Sequence, residues 1–225
     1  TMDKNKTKQI AQSVGIKTPK SYRTVEEIER FPVIIKPVDE GSSKGVFLCN
    51  NREEAEEAVK KLARPIIEDY IVGEELTVGV LNGKALGVLK IIPQADVLYD
   101  YDSKYADGGS IHEFPAKIED KSYKEAMKIA EKVHSEFGMK GISRSDFILS
   151  EGELYFLEVN SSPGMTKTSL IPDLATLNIF PNSVKYNNCI INGISQNCKN
   201  CRNKWSIYLI SKHCNNSKCN NNIVN

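Results

Sequence analysis

The sequence predicts an α+β fold: a body of two α+β subdomains followed by a tail of a different kind. Three observations carry this. Helical and strand patterns are mixed without a strict βαβ alternation. Two hairpin signals lie in the second half of the body, at Asn82-Gly83 and around Glu151-Gly152-Glu153. The composition also breaks near residue 177, with five Asn and one Cys before it, fourteen Asn and five Cys after it, and no Asp or Glu beyond Asp173. The expected division is residues 1–73, 74–177 and a tail over 178–225, with the two subdomains meeting near Gly73.

In chain order, Asp3 to Val14 reads as a helix, with Asp3 as N-cap and Gly15 as stop. Thr24-x-x-Glu27 has the form of a capping box opening a short helix. Val33 to Lys36 is β-branched and bounded by Pro32 and Pro37, as a buried strand should be. The loop Glu40 to Gly45 leads to a strand over Val46 to Cys49. Asn51 caps a helix ending near Leu62, and Pro65 starts a strand over Ile66 to Ile71. Thr77 to Leu81 and Ala85 to Ile92 flank Asn82-Gly83, which suits a type I′ turn. The polar stretch Gln94 to Gly109 lacks periodicity, which marks a functional or a disordered loop. Ser122 to Phe137 reads as an amphipathic helix with Ser122-x-x-Glu125 as its box and Gly138 as its stop. Ser143 to Leu149 and Leu154 to Val159 form the last hairpin.

With 225 residues, 40% hydrophobic and 26% charged, the chain can bury a core. No apolar run approaches the ~20 residues of a membrane span, and nothing at the N-terminus resembles a signal peptide. A net charge of +1 argues against a dedicated nucleic-acid binder, so neither nucleic acid nor membrane is an expected partner. The tail holds six of the 30 basic residues, leaving 24 basic and 29 acidic residues in the body. Cys198-x-x-Cys201, His213-Cys214 and Cys219 contain soft metal ligands, but the second pair lacks zinc-site spacing within a low-complexity Asn/Lys/Ser tract. The tail is expected to be disordered, and its composition points to a changed reading frame or end point. Cys49 alone lies in the body, so a reducing cytoplasm is the expected compartment.

The sharpest site signal is the last hairpin. A three-residue loop centred on Gly152 puts Asp146 opposite Glu158, and Asn160 shares the face of Glu158. Two carboxylates and an amide suit Mg²⁺ or Mn²⁺. Arg144 lies two residues from Asp146 on the same face, where a cation suits a phosphoryl group or an oxyanion. A surface salt-bridge cluster accounts for the spacing equally well, and the apolar neighbours Phe147, Ile148, Phe156 and Leu157 favour the site. The loop Glu40-Gly41-Ser42-Ser43-Lys44-Gly45 suits either a phosphate cradle or a plain turn. Lys36, on an apolar strand, either meets an anion or snorkels at an edge. Tyr99, Tyr101, Lys104 and Tyr105 suit a lid or a solvated loop, and His112 and His134 stand isolated.

These segments together carry a resemblance. Lys36-Pro37 with Glu40-Gly41-Ser42-Ser43-x-Gly45, then Glu68-Asp69-Tyr70-Ile71 with Gly73-x-Glu75, resembles the nucleotide-binding half of an ATP-grasp ligase. Tyr99-Asp100-Tyr101-x-x-Lys104-Tyr105, Arg144-x-Asp146 and Leu157-Glu158-x-Asn160-x-Ser162-Pro163-Gly164-Met165-Thr166 resemble the D-alanine–D-alanine ligase family. The likeness covers residues 2 to 178. It implies an ATP-grasp fold with the nucleotide between two α+β subdomains. Lys36 would then contact the phosphates under the Ser42–Ser43 loop. Glu68, Tyr70 and Ile71 would hold adenine, and Glu75 the ribose. Asp146, Glu158 and Asn160 would hold two Mg²⁺ or Mn²⁺ ions. Arg144 would face the oxyanion and Lys104 the transferred phosphoryl group, while Ser169 and Gly164 would meet the second substrate. Tyr105 would join the lid to Ser42 and accompany D-alanine as second substrate, where Phe accompanies D-lactate.

The implied activity is ATP-dependent ligation of two D-alanines through an acyl phosphate, in peptidoglycan synthesis. Two departures from the family pattern stand out. The family's N-terminal domain, with a carboxylate for the first D-alanine and a further phosphate-binding Lys just upstream, is not in the chain, and the last helix gives way to the tail after Phe180. Two further readings stay open: another ATP-grasp carboxylate–amine ligase, or a non-catalytic ATP-binding remnant. Protein partners would be a second copy of the chain or a separately encoded N-terminal domain.

Overall fold

The computed structural model describes residues 3–40, 45–93, 110–164, 170–171 and 174. The chain divides into two compact units, residues 1–163 and 164–225, and both sheets lie in the first. The tail over 178–225 lies outside the described residues, as do Ser42, Ser43, Lys104, Tyr105 and Ser169.

Helix α1 (Lys4–Ser13) starts as expected: the Asp3 side chain accepts from the Lys6 amide at 3.0 Å. Strand β1 (Ser21–Tyr22) follows, then a single 3-10 turn over Val25–Glu27. The expected capping box does not form there. Thr24 makes no side-chain cap bond, and Glu27 reaches past it to the Arg23 amide at 2.9 Å. Strands β2 (Val33–Pro37) and β3 (Phe47–Cys49) precede α2 (Arg52–Lys61). Asn51 and Glu54 close α2 reciprocally: Asn51 accepts from the Glu54 amide at 2.9 Å, and Glu54 accepts from the Asn50 amide at 2.7 Å. Strand β4 (Pro65–Asp69) stops two residues before the expected Ile71, because the Tyr70 amide turns to the Pro32 carbonyl at 3.3 Å.

These strands form an antiparallel sheet in the order β1-β4-β2-β3. One face, with Val33, Ile35, Cys49 and Ile67, packs on Ala55 and Ala58 of α2. Behind it, the Tyr22 hydroxyl donates to Asp69 at 2.7 Å and Arg30 pairs with the same carboxylate at 2.6 Å.

The second sheet has the order β7-β6-β5-β8-β9. Strands β5 (Glu74–Leu81) and β6 (Lys84–Pro93) join through Asn82-Gly83, both at positive φ as the type I′ turn requires. The edge strand β7 (Ser110–Glu113) was not expected from sequence. Helix α3 (Asp120–Glu136) begins two residues before the expected box, so Ser122 is buried in the first turn and does not cap. Ala126, Ala130 and Val133 of α3 pack on Leu76, Val78, Val88, Phe147, Phe156 and Val159. Burial of these apolar side chains, at roughly 25 cal/mol per Å², holds helix to sheet.

Strands β8 (Ile142–Ser150) and β9 (Glu153–Asn160) meet at a two-residue turn, Glu151 at φ 50 and Gly152 at φ 80, where the sequence suggested three. Ser150 pairs with Glu153 and Phe147 with Phe156, and then the register shifts so that Asp146 faces Glu158. The shorter turn and the bulge at Leu157 offset each other, so the expected Asp146–Glu158 opposition holds through a different geometry. Among the described residues no helix is long and apolar enough to cross a membrane.

Candidate active site

The bulge decides which way β9 presents its acids. Leu154 and Phe156 face the core, and a regular strand would send Glu158 and Asn160 there too. The extra residue reverses the alternation, so Val159 takes the core position and Glu158 and Asn160 point to the other face. On β8, Ser143, Ser145 and Phe147 are fully buried, which leaves Arg144 and Asp146 on the face of Glu158 and Asn160. The ladder sets Asp146 against Glu158, and Arg144 against Asn160. On the other side of β8, Thr77 of β5 pairs with Asp146 and Glu75 with Ile148, which brings Glu75 to the same face.

Asp146 is tightly held. Arg144 donates from Nε to Oδ1 at 2.9 Å and from Nη2 to Oδ2 at 2.8 Å. The Thr77 hydroxyl donates to Oδ1 at 2.6 Å. Burial works against the charge of Arg144, but Asp146, with Glu158 and Glu75, holds its pKa above the ordinary guanidinium value. Asn160 Nδ2 approaches Glu158 Oε1 at 3.4 Å.

The first sheet contributes Lys36 and Glu68, which share the face opposite its core. Lys36 Nζ lies 3.0 Å from Glu68 Oε2. Burial opposes the Lys36 charge, yet Glu68, and then Glu158, raise its pKa above the usual lysine value. Tyr70 and Ile71 follow β4 and are half-buried.

Helix α1 supplies two residues that sequence reading passed over. Its buried stripe is Lys4, Thr7, Lys8 and Ala11, while Ile10 is exposed. Lys8 Nζ lies 2.8 Å from Glu68 Oε1. The same ammonium also donates to the Pro19 carbonyl at 3.0 Å and the Ser21 hydroxyl at 3.1 Å. Burial would raise the Glu68 pKa, but Lys36 and Lys8 together hold it below the usual carboxylate range. Lys4 Nζ lies 3.9 Å from Glu158 Oε2 and donates to the Glu40 carbonyl, at the entry to the Gly/Ser loop. Burial lowers its pKa, while Glu158 opposes the shift and Lys36 adds to it. A helix that turns Lys4 and Lys8 inward and Ile10 outward inverts ordinary amphipathicity, and that i, i+4 spacing was the signal to read.

The structure thus brings together Lys4, Lys36, Glu68, Arg144, Asp146, Glu158 and Asn160. Gly164 belongs to the second unit, and Ser42, Ser43, Lys104, Tyr105 and Ser169 lie outside the described residues. Among the described residues no three His, Cys, Asp or Glu side chains gather as a metal group. The donor set on this face is instead two carboxylates and an amide. Hard oxygen donors of this kind fit Mg²⁺ or Mn²⁺.

Comparison with known proteins agrees with this architecture. The antiparallel sheets and their helices form a fold of the ATP-grasp class, shared with solved D-alanine–D-alanine ligases. More narrowly, the chain belongs to the D-alanine–D-alanine ligase family, since residues 6–183 match the family model described as D-ala D-ala ligase C-terminus. A D-alanine–D-alanine ligase of Fusobacterium nucleatum is 94% identical over 177 residues, which are 79% of this chain and 62% of that protein. The crystal structure of the Bacillus anthracis ligase superposes with a TM-score of 0.67 at 29% identity, covering 80% of this chain and 62% of the other. The structure of that ligase complexed with ATP gives a TM-score of 0.61 at 26% identity, covering 77% and 58%. The chain therefore spans less than two thirds of the length of the curated relatives it matches.

Proposed function

We propose that this chain provides the nucleotide and metal site of an ATP-dependent ligase that joins two D-alanines into D-alanyl-D-alanine for the bacterial cell wall. The observation that carries the reading is the convergence of buried Lys4 and half-buried Lys36 with Glu158, Asp146 and Arg144. Two ammonium groups held beside acids in a low-dielectric site suit a polyphosphate bridged by divalent ions. The free, buried Cys49 suits a reducing cytoplasm.

In this reading Lys36 and Lys4 hold phosphate oxygens. The further phosphate-binding lysine that the family resemblance put upstream of residue 1 is thus assigned to Lys4 of α1, within this chain. Glu68, Tyr70 and Ile71 receive adenine, and Glu75 the ribose hydroxyls. Asp146, Glu158 and Asn160 hold Mg²⁺ or Mn²⁺, whose charge neutralises the phosphates. The carboxylate of the first D-alanine attacks the γ-phosphorus, giving an acyl phosphate and ADP. The amine of the second attacks the acyl carbon, loses a proton, and expels inorganic phosphate. Arg144 stabilises the oxyanion of the tetrahedral intermediate, and Lys104 the phosphoryl group in transfer. Ser42 and Ser43 cover the phosphates, Ser169 and Gly164 meet the second substrate, and Tyr105 selects its amine.

The test is calorimetry of ATP binding to this chain. Binding should be tighter in Mg²⁺ than in EDTA, lose that advantage in Glu158→Gln, and weaken in Lys36→Met with or without metal. Equal affinity in EDTA and in Mg²⁺ would sink the reading.

A further inference from the structure

We infer that Thr77 is a positioning residue of this site: its buried hydroxyl bonds Oδ1 of Asp146 and, with the Arg144 guanidinium on both oxygens, fixes the orientation in which the carboxylate meets a metal ion. The inference rests on the proposed assignment of Asp146 as a metal ligand. It begins with an oddity of β5. Leu76, Val78 and Val80 are fully buried and apolar, as the core face of a central strand should be. Thr77, on the opposite face, is fully buried too. Valine has nearly its shape and would fill the volume without a polar group to satisfy.

The hydroxyl has one proton to give. The Ser145 carbonyl lies 3.5 Å away, at the limit of a hydrogen bond, whereas Asp146 Oδ1 lies at 2.6 Å. The shorter contact falls in the range of about 2.5–2.7 Å for a hydroxyl on an ionised acceptor. Arg144 Nε donates to the same Oδ1 at 2.9 Å, and its Nη2 to Oδ2 at 2.8 Å. A carboxylate oxygen offers two lone pairs, and on Oδ1 the hydroxyl and Nε take both. Thr77 comes from β5 and Arg144 from β8, so the carboxylate is pinned from two strands. Its plane is fixed before any ion arrives. Donors behind a ligand typically change metal affinity about 10–100-fold when removed.

The experiment titrates the full chain with Mn²⁺ in the presence of ADP and follows free Mn²⁺ by electron paramagnetic resonance. Calorimetry of ADP in EDTA reports nucleotide binding without metal, and urea unfolding reports the fold. Thr77→Val should bind Mn²⁺ about 10–100-fold more weakly with unchanged metal-free ADP binding. Thr77→Ser, which keeps the hydroxyl, should restore most of the affinity. The inference is overturned if Thr77→Val holds Mn²⁺ like the wild type while Asp146→Asn loses it. It is equally overturned if Thr77→Ser is as weak as Thr77→Val, or if metal-free ADP binding falls in parallel. Wild-type Mn²⁺ affinity in Asp146→Asn would instead remove the metal assignment itself.

Discussion

Arg144 and Asp146, two residues apart on one strand, grip each other through two bonds of 2.9 and 2.8 Å. Both lie largely out of water, with side-chain exposures of 20% and 11%. Side chains two apart share one face of a strand, which places these two groups within reach of each other. Here the long arginine folds back over the short aspartate, and the planar guanidinium matches the carboxylate at both oxygens.

Removing the cation should therefore leave a stranded carboxylate. Arg144→Met is expected to lower the unfolding free energy by about 3 kcal/mol, the scale for breaking a buried pair. Arg144→Lys keeps the charge but cannot span both oxygens, and should fall between the two. Urea unfolding of the three proteins checks the order.

Glu68 tests the opposite imbalance. Its carboxylate stands between Lys8 and Lys36, at 2.8 and 3.0 Å. In Glu68→Gln the two ammonium groups confront each other unscreened, and the loss should again be about 3–5 kcal/mol. Adding Lys8→Met removes one of the charges and should recover part of that loss. A double variant as unstable as the single one would mean that the charges are not what Glu68 answers.

Gly73 is tight for a simpler reason. A Cβ there would sit 2.3 Å from the Leu149 carbonyl oxygen and 2.7 Å from Ile148 Cγ2, so backbone must move to admit it. Gly73→Ala should destabilise by about 1–3 kcal/mol through overpacking. At about 2–4 °C per kcal/mol for a chain of this size, differential scanning calorimetry resolves the shift.

His134 gives the body a dependence on acid. It is buried, its Nδ1 lies 2.7 Å from Ser143 Oγ, and burial lowers its pKa below the ordinary 6.5. The unfolded chain takes up a proton near 6.5, while the folded chain resists until lower pH. The stability that neutral His134 contributes is thus complete above 6.5 and is lost as pH falls through the folded value. Urea midpoints at pH 7.5 and 5.5 should fall further apart in the wild type than in His134→Gln. An equal gap in both would remove His134 from the cause.

Much of this was legible in the residues, and the rest failed for identifiable reasons. Asn82-Gly83, the Asp3 cap and the Asn51 cap were readable because each rests on a local bond between near neighbours. Thr24 and Ser122 match the capping-box pattern equally well, but chain direction is set elsewhere. Glu27 bonds the Arg23 amide, and α3 begins early enough to bury Ser122 among its neighbours. Strand β7 was missed because its partner Lys90–Pro93 lies across a long connection, and pairing at that range leaves no local trace. The acids of the site were found by counting, although the count assumed a longer turn and no bulge. Lys4 and Lys8 were missed because lysines on a helix are ordinarily read as its wet side.

The bulge at Leu157 also divides the last hairpin into two parts that can be edited separately. Below it, the first pairs answer to the core through Leu154 and Phe156, and to Lys17, whose carbonyl accepts from the Phe156 amide at 2.9 Å. A different two-residue turn could replace Glu151-Gly152 without disturbing anything above. Losing the single codon for Leu157 would remove only the extra residue. Phe156 would still face Phe147 and Glu158 would still face Asp146, now in a regular ladder, with Val159 in the oily layer and Asn160 out of it. Leu157 is therefore a spacer, whose deletion would straighten the strand without turning either polar side chain to the wrong face.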